Sequence, residues 1–235
     1  QPRSRGLGDV YKRQVAGDPG PEAQLLNVAL ISGFTPLHLR TLLQAELRLR
    51  FPARRVTITT GTYGDIAGSL QSLDFTRTEA IVIALEWEDL DRRLGIRQLG
   101  GWGPGNLQSI HEQTRMRLAQ LRVLLEKLVS SLPVIVSLPS LPVPPLFFTP
   151  GWLAGSCEIA LKEELISFAG SLAQQQRVRF VNEQRLMQLS PLSGRLDVKS
   201  QWLAGFPYSI PHASALADLF ACLIENPIPR KGLIT

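Results

Sequence analysis

The sequence predicts an α/β protein: a three-layer α/β/α sandwich around a mainly parallel sheet of about five strands. Three observations predict it. Short apolar runs alternate with longer segments whose leucines recur at helical spacing. The run Ala80 to Leu85 is apolar on both faces, as a central parallel strand must be. Finally, the stretch Val28 to Pro36 passes from a buried strand through Ser32-Gly33 into a helix start within a few residues. At 235 residues and 44% hydrophobic content the chain can bury a full core, and right-handed crossovers are expected between its parallel strands.

The elements follow in order. Residues 1–14 carry no apolar periodicity and resemble read-through of a sequencing adapter, so they are set aside as an artefactual or disordered prefix, with 15–24 as a Pro/Gly-rich linker. A first strand covers Val28 to Ile31. Thr35 is placed to cap the next helix and Pro36 to open it, and Leu39, Leu42, Leu43 and Leu47 share one face to about Phe51. The β-branched run Arg54 to Thr60 makes a second strand, closed by the loop Gly61 to Asp65 and a short helix to about Leu73. The third strand runs into Glu86-Trp87-Glu88-Asp89-Leu90, and a loop-like stretch extends from Asp91 to Gly105. A long helix after Asn106 buries Leu107, Ile110, Leu118, Leu121, Leu125 and Leu128. Val134 to Leu138 is the fourth strand, and a proline-rich crossover loop reaches Pro150. A helix from Ser156 to about Ala173, a fifth strand over Arg177 to Val181 and a last helix from near Pro211 complete the set.

Charge and composition narrow the function classes. The prefix alone holds Arg3, Arg5, Lys12 and Arg13 against Asp9, a net +3, so residues 15–235 carry only +2 of the chain's +5. No basic stripe interleaved with aromatics points to nucleic acid. Cys157 and Cys222 sit in separate helices without a CxxC or Cys/His neighbourhood, which argues against zinc and a disulfide framework and fits a reducing, cytoplasmic compartment. The uncharged stretch Leu128 to Cys157 contains six prolines and therefore does not read as a membrane span. His38 and His111 lack metal-ligand spacing, so no metal is expected in this chain.

In open α/β sheets ligands bind beyond the carboxyl ends of the strands, which places any site near Ser32 to Thr35. A lone Ser-Gly turn is also an ordinary structural turn. The strand ends Ser32-Gly33-Phe34, Gly64 and Glu86-Trp87-Glu88-Asp89, with the late Tyr208-Ser209-Ile210-Pro211-His212, resemble the SGNH-hydrolase layout. That layout is a flavodoxin-like sandwich using a serine, a glycine, an asparagine and an Asp-x-x-His. The resemblance implies Ser32 and His212 as catalytic candidates, with Gly33, Phe34, Tyr63, Gly64, Glu86, Trp87, Glu88 and Ser209 lining a pocket. Its motifs are degenerate. Phe34 falls on the nucleophile register, Glu88 replaces the asparagine donor with an acceptor-only carboxylate, and Ser209 stands where an aspartate would orient His212. Glu86 and Glu88 also suit a solvated rim partnered by Arg92 and Arg93, and Trp87 a loop anchor.

Five segments together, Val28 to Pro36, Thr60 to Asp65, Glu86 to Asp91, Gly100 to Pro104 and Gly205 to Ala213, resemble the N-terminal region of FkbH-like proteins of the HAD-IIIC class. The resemblance implies an SGNH-like domain over 25–226, with 227–235 leading into a HAD phosphatase-like domain that would carry the Asp-x-Asp-x-Thr motif and Mg. It also implies an acyl carrier protein as partner in loading a glyceryl unit in polyketide-type pathways. No cofactor is expected within this chain. An autonomous SGNH-type esterase using Ser32 and His212 is the alternative. Phe147, Phe148 and Trp152, in the proline loop, are expected either to contact the HAD domain or carrier protein or to pack beneath their own loop.

Overall fold

The computed structural model describes residues 22–101, 103–143 and 152–225. Five parallel strands form one sheet in the order β2-β1-β3-β4-β5: β1 is Leu25–Ser32, β2 Arg55–Thr60, β3 Ala80–Ala84, β4 Val134–Ser137 and β5 Val178–Phe180. The three-layer sandwich expected from the sequence is the fold that forms. Strand alternation makes the layers. Val28 and Leu30 join one buried cluster while Ala29 and Ile31 join the other, so the same strand feeds both faces of the sheet.

One face is covered by α1 (Leu37–Arg50), whose Leu39, Leu43 and Leu47 pack in the cluster that also holds Leu216 and Phe220. The other carries α2 (Ile66–Gln71), capped by the Asp65 side chain; it is followed by the short α3 (Trp87–Leu90) at the end of β3. The long α4 (Leu107–Leu128) and α5 (Ser156–Ala173) complete that layer, joining Ile110, Leu118 and Leu125 to Leu161, Leu165 and Phe168. Between α3 and α4 the expected loop is ordered into 3₁₀ turns over Arg92–Leu94, Ile96–Gly101 and Pro104–Asn106.

Two short helices between β5 and the last helix escape the periodicity reading: α6 (Glu183–Leu189) and α7 (Val198–Ala204). Each has one or two turns, too few for an apolar stripe to repeat. Their caps were the readable signal. Asn182 accepts from Arg185 N, Asp197 accepts from Ser200 N, and Gly205 ends α7 with a left-handed φ of 71°. The last helix, α8, spans Ile210–Glu225 and packs beside α1.

One local expectation fails for a tertiary reason. Thr35 does not cap α1; its backbone N–H donates instead to Gly205 O at 3.1 Å, tying the β1 loop to the end of α7. Phe147 and Phe148 lie outside the described residues, as do 1–21 and 226–235. Trp152 is described and is 91% exposed. Among the described residues, no helix is long and apolar enough to cross a membrane.

Candidate functional site

Strand order reverses between β1 and β3: the chain leaves β1 for β2 on one side, and β3 pairs on the other. The loops diverge there and leave a crevice at the carboxyl ends. A cavity of about 700 Å³ occupies that place, lined by Gly33, Phe34, Tyr63, Gly64, Glu86, Trp87 and Glu88, and also by Asp89, Arg97 and Gln201. Ser32, Ser209 and His212 are not among its lining residues.

The floor is held by α3. Glu86 and Asp89 form a reciprocal cap, with Glu86 N donating to Asp89 Oδ2 at 2.8 Å. The Asp89 carboxyl lies against Gly33, where any Cβ would overlap its Oδ1. Burial, with the nearby charges of Glu86 and Glu88, pushes the Asp89 carboxyl up to about 8, so it keeps its proton at neutral pH. Gly33→Ala is expected to cost about 1–2 kcal/mol, because Asp89 must rotate away from the methyl and give up its bond to Glu86 N. Thermal or urea unfolding of the variant checks this, and an unchanged midpoint would show that Asp89 moves freely.

Phe34, at the end of the β1 loop, is a buried ring. It meets Tyr208 edge-on at 4.9 Å and Phe206 at 6.2 Å, which fixes the loop by aromatic packing. Ser32 is also buried, and its hydroxyl donates to Phe34 O at 2.9 Å, closing its own turn. Gly64, with φ of 72°, donates its N–H to Gly33 O at 2.9 Å and so couples the β1 and β2 loops. Trp87 donates its indole N–H to Leu141 O at 3.0 Å, anchoring the start of the proline loop.

Beneath the cavity lies a buried polar network that sequence reasoning did not foresee. Glu86 is no solvated rim residue, and Arg92 and Arg93 are not its partners. Its carboxylate accepts from Ser140 Oγ at 2.7 Å, Ser140 N at 3.1 Å, Leu141 N at 3.2 Å and Tyr208 Oη at 2.7 Å. Burial raises its pKa, and these donors oppose the rise. Because Ser140 Oγ donates to Glu86, it accepts from His212 Nε2–H at 2.9 Å, which leaves His212 Nδ1 to accept from Ser190 Oγ at 3.0 Å. The imidazole is thus assigned as neutral. Burial, helped by the charge of Arg195, depresses it to about 3. Arg195 is itself buried, donating to Ser140 O at 2.7 Å and Ser190 O at 2.9 Å. Ser209 donates its hydroxyl to Gly194 O at 2.6 Å and stands at the N-terminus of α8, 3.4 Å from His212 N.

The network therefore draws Glu86, His212 and Tyr208 together with Ser140, Ser190 and Arg195, and leaves Ser32 outside. Ser140 and His212 are a hydroxyl–imidazole pair at hydrogen-bond distance, but neither side chain lines the cavity. Glu88 does line it; its Oε2 accepts from Gln201 Nε2 at 3.1 Å. Tyr63 is exposed at the mouth, its hydroxyl accepting from Arg97 at 3.0 Å. Among the described residues, no group of three His, Cys, Asp or Glu side chains is placed to hold a metal ion.

No protein-family model matches the chain, and no curated protein matches it. Among solved structures, the fold is similar to the N-terminal part of the protein BF1531 from Bacteroides fragilis, which contains a phosphatase domain and was crystallised with Mg. The TM-score is 0.66 at 13% identity, over 90% of this chain and 55% of that one. This chain thus spans about half the length of the neighbour. At that identity the likeness is one of fold. A second solved structure covers 85% of this chain at 12% identity, and its TM-score of 0.41 bears no weight.

Proposed function

We propose that this chain is a degenerate, non-hydrolytic SGNH-like domain of an FkbH-like, HAD-IIIC protein. In this reading it binds or positions an acyl carrier protein, or a HAD domain following it in cis, during loading of a glyceryl unit. The observation that carries the non-hydrolytic half is the state of His212. A general base must reach the proton it removes and have a pKa near the working pH. Here both ring nitrogens are engaged by Ser140 and Ser190, the ring is buried beneath the cavity, and its pKa lies at about 3. Ser32 spends its proton on Phe34 O, and the nucleophile register holds an aromatic ring packed against Tyr208. The five segments that resemble this family support the reading, and the Mg that the resemblance implies would belong to the HAD domain.

Hydrolysis of p-nitrophenyl acetate tests this reading. The expected result is no turnover above that of an inert protein at equal concentration. Turnover that disappears in both Ser32→Ala and His212→Ala would establish the esterase alternative and overturn the non-hydrolytic reading. Saturable binding of a phosphopantetheinylated carrier protein is the expected second readout; its absence would leave the HAD domain as the partner.

A further inference from the structure

Three of the four arginines lining the cavity, Arg92, Arg97 and Arg117, have no carboxylate partner among the described residues. Arg97 reaches across the mouth to neutral acceptors only: Tyr63 Oη, Gln201 O and, at 3.4 Å, Trp202 O. Arg92 and Arg117 also line the cavity, both exposed, and neither makes an ion pair among the described residues. The carboxylates nearby are differently disposed. Asp91 is spent on a two-point bond with Arg93, at 2.9 and 2.6 Å, and Glu86 on its four donors. Asp89 holds its proton at neutral pH. Asp65 caps α2 and Glu88 is bonded to Gln201, so among the described residues neither is paired with an arginine. Guanidinium groups without carboxylates, set in a walled crevice, favour anions whose oxygens they meet with two-pronged bonds.

We propose that the crevice at the carboxyl ends of β1 and β3 binds an organic anion, a phosphate monoester or a carboxylate on a small apolar body. Arg97 is its anchor, Arg92 and Arg117 supply further charge, and the rings of Phe34 and Trp87 supply apolar lining. This deepens the binding role proposed above and rests on the crevice being a binding site. It does not rest on the absence of hydrolysis, so the ester assay and the binding assay fail independently.

Calorimetric titration of the full chain with phenyl phosphate, benzoate and phenol tests it. At least one of the two anions is expected to bind saturably and to weaken as salt is raised, whereas phenol, the same ring without the fixed charge, is not. The tighter anion names the headgroup. Arg97→Gln is expected to weaken that anion about tenfold. Because Arg97 also joins three elements, the double variant Arg92→Gln/Arg117→Gln serves as the second arm; it removes charge, gives up the exposed 3.5 Å bond from Arg117 to Gln120 on the same helix, and is expected to weaken binding to a similar degree. Arg122→Gln, on α4 but outside the cavity lining and paired with Glu126, is the control and leaves affinity unchanged. Equal binding of phenol and the anions, no binding of either anion, or unchanged affinity in the double arginine variant overturns the proposal.

Discussion

Replacing Glu86 with leucine is expected to destabilise the domain by about 3–5 kcal/mol, the range for removing one partner from a buried charged network. Leucine fills much of the same space, so the loss comes from unmet hydrogen bonds and not from a cavity. Four donors converge on this carboxylate from two parts of the chain: the hydroxyl and amide of Ser140 and the amide of Leu141, and the hydroxyl of Tyr208. Each would be left dry and unpaired, at about 1–3 kcal/mol apiece before relaxation. Loss of the negative charge would also take from buried Arg195 one of its nearby counter-charges, leaving Glu183. Glu86→Gln keeps one acceptor oxygen and turns an amide toward the remaining donor, so an intermediate loss of about 1–3 kcal/mol is expected. Urea unfolding of both variants measures this. A leucine variant within 1 kcal/mol of the parent would mean that the network does not hold the proline loop and α8 onto the strand ends.

The second large effect is a pH dependence with two opposing sources. His212 is depressed to about 3 in the fold, against about 6.5 in the unfolded chain. Between those values only the unfolded chain takes up a proton, so stability falls as pH drops from 6.5 toward 3. Asp89 behaves in reverse. Its folded pKa of about 8 lies above the unfolded value near 4, so the fold holds a proton that the unfolded chain has released, and stability falls as pH rises from 4 to 8. Glu86, also raised, acts in the same sense as Asp89. Between pH 4 and 6.5 the slopes of His212 and Asp89 largely offset each other. Above 6.5 His212 is silent and the slope is set by the raised carboxyls, Asp89 and Glu86. One unmatched proton changes stability by about 1.4 kcal/mol per pH unit, so a loss of about 2 kcal/mol is expected between pH 6.5 and 8. Asp89→Asn should reduce that loss while retaining the acceptor for Glu86 N. Urea midpoints measured from pH 5 to 8.5 decide it; an equal alkaline loss in the Asn variant would assign the effect elsewhere.

Much of the fold was legible because its signals are local. Val134 to Ser137 reads as a strand from four residues alone, and α4 announces itself by Ile110, Leu118, Leu121 and Leu125 at helical spacing. The place of the cavity was legible for the same reason, since Ser32-Gly33 and Glu86-Trp87 mark where strands stop and chain direction changes. Glu86 was read as a rim residue because its near neighbours in sequence include Arg92 and Arg93. Its partners instead lie 54 and 122 positions away, at Ser140 and Tyr208.

The sequence by itself thus determined the α/β alternation, the parallel sheet and the strand ends where a crevice opens, because periodicity and turn chemistry act within a few residues. Only the tertiary structure decided which polar groups face that crevice and which are sealed beneath it. Residue type does not distinguish Glu86, buried with four donors on its carboxylate, from the half-buried Glu88 bonded to Gln201, nor His212 with two serines on its ring from a histidine free to take a proton. Those differences arise when segments distant in the chain close over one another and remove water. A carboxylate or imidazole then takes its charge state from the donors, acceptors and charges packed around it.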